Sequence, residues 1–184
     1  MSIKPKKSLG QNFLKDKNIL SKIVDAAELS AEDIVLEIGP GTGNLTEMIL
    51  EKNPKSIYVV EKDKRLTVLL EKKFGKKINI INKDILKCYS DFNFDLPIKV
   101  FGNLPYNIST KILTSFIKVK NLNKIFKKFI FVFQKEVADR IMADENTKNY
   151  GRLSIISSWK MNKYKIFNIS PECFHPVPKV SSSL

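Results

Sequence analysis

Short runs rich in apolar residues alternate with amphipathic stretches along most of the 184-residue sequence. The apolar runs, bounded by glycine, proline or polar residues, predict buried strands. Stretches in which apolar residues recur every three or four positions predict helices that bury one face. The predicted strands are residues 34–38, 56–60, 78–81, 98–101 and 129–133. The predicted helices are residues 18–27, 44–52, 65–74, 109–117 (capped by Ser109) and 135–142, while residues 153–159 fit either a strand or a helix.

The alternation of strands and helices predicts an α/β fold with a mostly parallel sheet and helices on both faces. No linker or internal repeat interrupts it, so residues 1–184 are expected to form one domain. Ligands of such sheets bind beyond the carboxyl ends of the strands. At the carboxyl end of each of the five predicted strands the sequence has polar or glycine residues, namely 39–43, Glu61, Asp84, 103–106 and Gln134.

Composition excludes several classes of function. The sequence contains two cysteines, Cys88 and Cys173, which are too few for a disulfide framework. It contains one histidine, His175, which makes a multi-histidine metal centre and a Ser-His-Asp triad implausible. No metal is therefore expected. The sequence lacks a long apolar run and an apolar N-terminal segment, which predicts a cytoplasmic protein that does not contact a membrane.

The charge of the chain favours a polyanionic partner. The formal net charge is +13, which suits a phosphate backbone. A lysine-rich surface that reflects biased composition is the alternative. The basic residues cluster within residues 1–22 and 118–128, and this clustering favours nucleic-acid binding.

The segment from Glu37 to Gly43 contains three glycines between a predicted strand and a predicted helix. Glycines let a ligand approach the backbone closely, and the helix N-terminus behind them favours negative or polar ligand atoms. Glu61 lies 18 residues after Gly43, close to the spacing of a ribose-binding carboxylate. Asn44 replaces the third glycine of a dinucleotide fingerprint, so a nucleoside is a better candidate than a dinucleotide. Asp84 is a candidate acceptor for an adenine amino group or a simple helix cap.

The four residues from Asn103 to Tyr106 match the needs of amine methylation. The Asn103 side-chain oxygen and the Leu104 carbonyl are two acceptors for the N–H bonds of an adenine amine, which would aim the nitrogen lone pair at a methyl donor. Pro105 fixes the backbone and Tyr106 offers a ring for stacking on the base. The alternative interpretation is a tight turn after a strand.

Two further segments carry aromatic residues among basic or proline residues. Near the C-terminus, the prolines after Phe174 predict an extended segment from which Phe174 projects to stack on an extruded base; the alternative is a phenylalanine at the edge of the core. Residues 8–14 are predicted to be either a flexible arm or a lid over the ligand.

Together these motifs closely resemble the ribosomal RNA adenine N6,N6-dimethyltransferases of the bacterial small-subunit type. The resemblance covers essentially the whole chain and rests on six motifs in order: Leu9-Gly-Gln-Asn-Phe-Leu14, Glu37-Ile-Gly-Pro-Gly-Thr-Gly43, Asn103-Leu-Pro-Tyr106, Gln134-Lys-Glu-Val137, Tyr150-Gly-Arg152 and Phe174-His-Pro-Val-Pro-Lys-Val180. It implies a Rossmann-like class I methyltransferase fold. It also implies dimethylation of two adjacent adenosines near the 3′ end of small-subunit (16S-type) rRNA, in an immature 30S-type subunit, by a monomer.

The resemblance also implies roles for individual residues. The cofactor would be S-adenosylmethionine, which yields S-adenosylhomocysteine, and its binding residues would be Gln11, Asn12, Leu14, Glu37, Gly39, Gly41, Glu61, Asp84, Ile85 and Asn103. Asn103, Leu104 and Pro105 would form the catalytic loop, and Tyr106 and Phe174 would hold the target base between them. Family members have a further strand and a small helical domain after the proline motif, so the chain is expected to be a catalytic domain that lacks that helical domain and its final strand.

Three other functions remain open from the sequence. A nicotinamide-dependent oxidoreductase is disfavoured by the missing third glycine and by the Asn-Leu-Pro-Tyr loop. A non-catalytic rRNA assembly factor is disfavoured by the intact loop. A methyltransferase of large-subunit rRNA that gives macrolide resistance is the nearest alternative, and Leu104 in the loop argues against it.

Overall fold

The computed structural model describes residues 4–92, 94 and 96–184. Its strands and α-helices are, in chain order, Phe13–Leu14 (β1), Lys17–Asp25 (α1), Ile34–Ile38 (β2), Asn44–Glu51 (α2), Ser56–Val60 (β3), Lys64–Phe74 (α3), Asn79–Ile81 (β4), Ile85–Cys88 (α4), Ile98–Asn103 (β5), Ser109–Ile117 (α5), Leu122–Ile125 (α6), Phe126–Gln134 (β6), Lys135–Met142 (α7), Arg152–Lys160 (α8), Asn168–Ile169 (β7), Phe174–His175 (β8) and Ser182–Ser183 (β9).

The main sheet has the strand order β4-β3-β2-β5-β6-β9-β7 among the described residues. Strands β2 to β6 pair in parallel, and this confirms the predicted α/β fold with a mostly parallel sheet. The chain runs outward from β2 to β4 and then returns to β5 on the other side of β2. The carboxyl ends of β2 and β5 therefore flank the point where strand order reverses, and this is where such sheets bind their ligands.

The predicted helices and strands agree with the structure to within a few residues, and the short elements β1, α4, α6, β7 and β8 were not predicted. Three further points differ. Ser182–Ser183 form a strand antiparallel to β6, so the expectation that the sheet has no strand after the proline motif is wrong. Ser109 is the first residue of α5 rather than its cap, and its hydroxyl donates to the Tyr106 carbonyl (3.3 Å). Residues 152–160, which the sequence pattern left undecided, form helix α8.

Two apolar clusters cover the two faces of the sheet. One cluster contains residues of α1, α2 and α3, such as Leu20, Ile49 and Leu70. The other contains residues of α4, α5 and α7, with Phe116 of α5 fully buried within it. The helices thus lie on both faces, as predicted, and leave the carboxyl edge free for polar residues. None of the helices in the described ranges has the length and apolar character needed to span a bilayer.

A buried ion pair joins the sheet to the loop before β2. Lys99 of β5 donates to Asp33 at 2.8 Å, and both side chains are 5% exposed. Lys99 also donates to the Glu28 carbonyl (2.8 Å), and Asp33 accepts from the Ser30 amide (2.7 Å). Although burial acts to raise the pKa of Asp33, the hydrogen bonds from Lys99 and Ser30 lower it to about 2. The Asp33 carboxyl is therefore ionised at neutral pH, and both buried side chains have hydrogen-bond partners.

Replacing only the cation of this pair should destabilise the fold. Lys99→Met leaves the buried Asp33 carboxylate without its closest cation, and we expect a loss of about 3 kcal/mol in the free energy of unfolding, at the low end for a broken buried pair. The low end applies because Lys127 (3.5 Å) and Ser30 still face Asp33. Urea unfolding at neutral pH measures the loss.

Lys128→Met is the matched control, because Lys128 pairs with an exposed carboxylate, that of Glu28 (3.0 Å). Exposed pairs contribute about 0–1 kcal/mol. An equal effect of the two substitutions would contradict the structural role assigned to the buried pair.

Candidate active site

A cleft lies at the carboxyl edge of the sheet, between the loops that follow β2, β3, β4 and β5 and the arm at residues 8–14. Twelve of the residues predicted from the sequence line it: Gln11, Asn12, Leu14, Glu37, Gly39, Gly41, Glu61, Asp84, Ile85, Asn103, Leu104 and Pro105. Tyr106 and Phe174 do not line it. The structure thus brings most of the predicted site together at the reversal point of the sheet.

The glycine loop after β2 leaves space for a ligand and for the arm. Gly39 has φ +66° and a Cβ there would meet no atom within 4 Å, so its backbone faces open space. Gly41 has φ +60° and a Cβ there would lie 2.8 Å from the Phe13 ring of the arm. Both positions need the left-handed backbone that glycine adopts without strain. Gly41 also allows the arm to pack directly on the loop.

Glu61 is held in place by the backbone at the end of β3. Its two oxygens accept from the Asp63 amide (2.8 Å) and the Gly41 amide (3.4 Å), and the residue is 7% exposed. Burial raises its pKa despite these bonds. A carboxylate has about four acceptor positions, so Glu61 retains capacity to bind two hydroxyl groups of a ligand. Glu61 is thus a buried acid whose oxygens are held by backbone amides.

Asp84 caps helix α4 and also lines the cleft. Its carboxylate accepts from the Leu86 amide (3.0 Å) and from the Lys62 ammonium (2.9 Å). Burial acts to raise the pKa of Asp84, but the bonds from Lys62 and Leu86 outweigh it and the net pKa is lowered. Asp84 is therefore ionised at neutral pH. The helix-cap interpretation is correct, and a carboxylate has about four acceptor positions, so Asp84 retains capacity for a ligand in the cleft that it lines.

Glu37 lies at the base of the glycine loop and is 1% exposed. Thr46 of α2 donates to it at 2.6 Å. Burial, with a smaller contribution from the charge of Glu61, raises the pKa of Glu37 to about 7. Because this pKa is close to neutral pH, a large fraction of Glu37 is protonated there. The net negative charge of the cleft is therefore smaller than the number of its carboxyl groups suggests.

Asn103 joins the end of β5 to the arm. Its side-chain nitrogen donates to the Asn12 carbonyl at 2.8 Å. A carbonyl only accepts, so this contact fixes which end of the amide faces the arm. No donor contacts the Asn103 side-chain oxygen within the described part of the chain. The oxygen is thus available as an acceptor in a residue that lines the cleft.

The arm is folded over the cleft, which favours the lid over the flexible-arm interpretation. Strand β1 pairs antiparallel with β8, with Leu14 opposite Phe174. The side chain of Asn44, in the first turn of α2, donates to the Leu14 carbonyl at 2.8 Å. Gln11 donates to Asp63 at 3.3 Å. These contacts hold the middle and the C-terminal end of the arm against the loops that line the cleft.

Sequence reasoning missed three residues that contact the arm or a carboxylate of the cleft, namely Asn44, Thr46 and Asp63. Asn44 was noted only as the residue that breaks a dinucleotide fingerprint. Asp63, 4% exposed, contacts Arg65 (2.6 Å) as well as Gln11, and the bond from Arg65 holds its pKa far below the usual range. Their partners lie far away in sequence or in another element, so spacing alone gave no signal.

Phe174 does not project from the chain. It is fully buried in the apolar cluster beneath α1 to α3 and lies in β8 opposite Leu14. The prediction that the proline-rich segment leaves Phe174 free to stack on a base is wrong, because pairing with β1 turns the ring into the core. Tyr106 is half-buried, and its hydroxyl lies 2.6 Å from the Ser182 hydroxyl.

Comparisons with known proteins agree with this site. The family model described as "Ribosomal RNA adenine dimethylase" matches residues 3–184. The "Ribosomal RNA small subunit methyltransferase A" of Pelagibacter ubique is 55% identical over 184 residues, covering 100% of this chain and 70% of the relative. The protein of the same name from Ehrlichia chaffeensis is 43% identical over 185 residues, covering 99% of this chain and 69% of the relative.

Solved structures with a similar fold include two RNA methyltransferases. A dimethyladenosine transferase from Plasmodium falciparum has a TM-score of 0.81 and 33% identity, covering 93% of this chain and 61% of that one. The 23S rRNA methyltransferase ErmE has a TM-score of 0.75 and 28% identity, covering 93% of this chain and 67% of that one.

These matches confirm the resemblance inferred from the six motifs and exclude the nicotinamide-dependent oxidoreductase. ErmE, the relative that represents the large-subunit alternative, has lower identity than the small-subunit proteins. The family match extends through the glycine loop, Asn103–Tyr106 and the proline motif. The chain therefore belongs to the ribosomal RNA adenine dimethylase family.

Proposed function

We propose that this chain transfers methyl groups from S-adenosylmethionine to N6 of two adjacent adenosines near the 3′ end of small-subunit rRNA. The observation that carries the proposal is the orientation of Asn103. Its nitrogen is engaged by the Asn12 carbonyl, which leaves its oxygen as an acceptor in the cleft. Its neighbours in the same loop, Leu104 and Pro105, also line the cleft.

The cleft contains groups that match the parts of the cofactor. Glu61 offers acceptors for the ribose hydroxyls and Asp84 offers an acceptor for the adenine amine. Gly39 offers an open backbone for the methionine end, where a side chain would intrude.

The residues of the Asn103 loop perform the alignment that the reaction requires. The bound cofactor supplies a methyl group on a sulfonium and becomes the neutral thioether S-adenosylhomocysteine when the methyl leaves. The Asn103 oxygen and the Leu104 carbonyl accept hydrogen bonds from the two N–H groups of the adenine amine. These bonds direct the nitrogen lone pair at the methyl carbon. Methyl transfer would form the C–N bond as the S–C bond breaks, and the resulting ammonium would then lose a proton. Rate comes mainly from this alignment and from acceptors placed for the developing positive charge.

The proposed substrate is small-subunit rRNA. The support for it is the printed name of the Pelagibacter and Ehrlichia relatives and the basic surface of the chain. Four exposed lysines lie around α6 and the start of β6, namely Lys118, Lys120, Lys124 and Lys127. Their charges suit contacts with phosphates. Tyr106, at the end of the catalytic loop, is the ring proposed to stack on the target adenine.

Transfer of label from S-adenosylmethionine to immature small ribosomal subunits tests this proposal. We expect the complete protein to place label in N6,N6-dimethyladenosine at two adjacent positions of small-subunit rRNA, identified by nucleoside mass spectrometry and mapped by fragment. Label confined to large-subunit rRNA, or to another base, would overturn it.

Asn103→Ala should lower the single-turnover rate in this assay by about 10²–10³-fold, the effect of losing one preorganised polar contact. Cofactor affinity should fall only in part, through the lost bond to Asn12, and RNA affinity should be unchanged. Asn162→Ala, an exposed position in the loop after α8, is the matched control and should retain the parent rate.

Glu61→Ala should weaken S-adenosylmethionine by about 1.5–3 kcal/mol, or roughly 10- to 150-fold in Kd, the range for hydrogen bonds to a charged group. Because the ionised carboxylate is the better acceptor and burial raises the pKa of Glu61, parent affinity should fall as the pH decreases through that pKa. Isothermal titration calorimetry measures both effects.

Glu47→Ala is the control for this series, since Glu47 is an exposed α2 carboxylate paired with Lys73. Parent and Glu61→Gln proteins with the same pH dependence of cofactor affinity would show that Glu61 is not the titrating ligand. Tighter binding of NAD than of S-adenosylmethionine would remove the cofactor assignment altogether.

A further inference from the structure

The catalytic loop is tied to the last strand of the sheet through one hydrogen bond between side chains. The hydroxyl oxygens of Tyr106 and Ser182 lie 2.6 Å apart. Ser182 is fully buried and Tyr106 is half-buried. No other side-chain partner of either hydroxyl is found in the part of the chain that the structure describes. Each hydroxyl therefore depends on the other for its hydrogen bond.

Ser182 is a fixed anchor because its strand is paired on both sides. In β9, Ser182 lies opposite Gln134 of β6 and opposite Ile169 of β7. The next residue, Ser183, donates its own hydroxyl to Asn168 (2.8 Å), and among the described residues its hydroxyl forms no hydrogen bond with Tyr106. Strand pairing thus fixes the Ser182 backbone independently of the catalytic loop, and the short serine side chain has little freedom of its own.

Tyr106 is held at both ends as a result. Its backbone carbonyl accepts from the Ser109 hydroxyl at 3.3 Å, and the preceding carbonyl, of Pro105, accepts from the Ile108 amide at 3.1 Å. Two side-chain torsions separate this fixed backbone from the hydroxyl. When the hydroxyl is also fixed, the plane of the ring is determined. Stacking on a base depends on that plane.

We infer that Ser182 is a positioning residue that sets the ring plane of Tyr106, and so the platform on which the target adenine is aligned with the Asn103 oxygen. The inference rests on the proposed function and adds a residue to it. Ser182 acts only through Tyr106 and contacts neither the cofactor nor the base.

The hydroxyl of Tyr106 is a structural group in this arrangement rather than a base. Burial raises the pKa of Tyr106, against a smaller opposing effect of the Ser182 bond. The phenol therefore remains protonated at neutral pH and continues to hydrogen-bond Ser182. Removing either hydroxyl should have one and the same consequence, a ring that is free to rotate about its torsions.

A double-mutant cycle on the complete protein tests the inference. Ser182→Ala, Tyr106→Phe and the double variant are compared in single-turnover methyl transfer to immature small subunits, with saturating S-adenosylmethionine. We expect each single variant to be about 2- to 12-fold slower, the rate equivalent of one neutral hydrogen bond. The double variant should be no slower than the slower single variant, because both remove the same bond. Cofactor Kd should be unchanged throughout.

Ser183→Ala is the matched control, because it removes the neighbouring hydroxyl of the same strand and should retain the parent rate. If Ser182→Ala does not fold, Tyr106→Phe removes the same bond without altering the strand, and its rate alone decides. Three results would each overturn the inference. Tyr106→Phe could react at the parent rate, or Ser183→Ala could lose as much rate as Ser182→Ala. In the third, the fold-decrease in rate of the double variant would equal the product of the two single fold-decreases.

The outcome for the parent protein separates this inference from the proposed function. A parent that methylates small-subunit rRNA, with variants that fail the cycle, overturns the role of Ser182 and leaves the function intact. A parent that transfers no methyl group to RNA overturns the proposed function and the inference together.

Discussion

The hydrogen bond from the Asn103 side chain to the Asn12 carbonyl is the contact on which the rest of the site depends. It joins two segments about 90 residues apart in sequence, and because a carbonyl can only accept, it decides the orientation of the amide. In the proposed function, the oxygen that remains is the acceptor for the amine of the substrate. The same bond holds the arm against the end of β5, so one side chain would serve both the proposed enclosure of the cofactor and the proposed recognition of the amine.

The sheet explains why these segments meet. Parallel strands place the glycine loop, Glu61, Asp84 and Asn103 at one edge, and the reversal of strand order between β2 and β5 opens a space there. The arm reaches that edge because β1 pairs with β8, which itself follows the last helix. The N-terminal arm thus completes the cleft, and a strand from the C-terminal part of the chain supports the arm.

The local sequence pattern predicted most of this arrangement. It failed for residues whose position is determined by contacts with residues far away in the sequence. The strands, the glycine loop and Asn103 were readable because period and spacing encode them. Phe174 was misplaced because a phenylalanine beside prolines has the same local signature whether it faces solvent or the core, and only the pairing with Leu14 decides. Ser182 had no signal at all, since its importance comes from a contact 76 residues away.

A crystal structure of the complete protein with S-adenosylhomocysteine and adenosine tests the central claim most directly. The account predicts that the adenosine amine lies within about 3.2 Å of both the Asn103 side-chain oxygen and the Leu104 carbonyl, a normal hydrogen-bond distance. It also predicts that the Asn103 nitrogen still contacts Asn12. An adenosine amine bound elsewhere, or an Asn103 amide turned so that its nitrogen faces the adenine, would contradict the account.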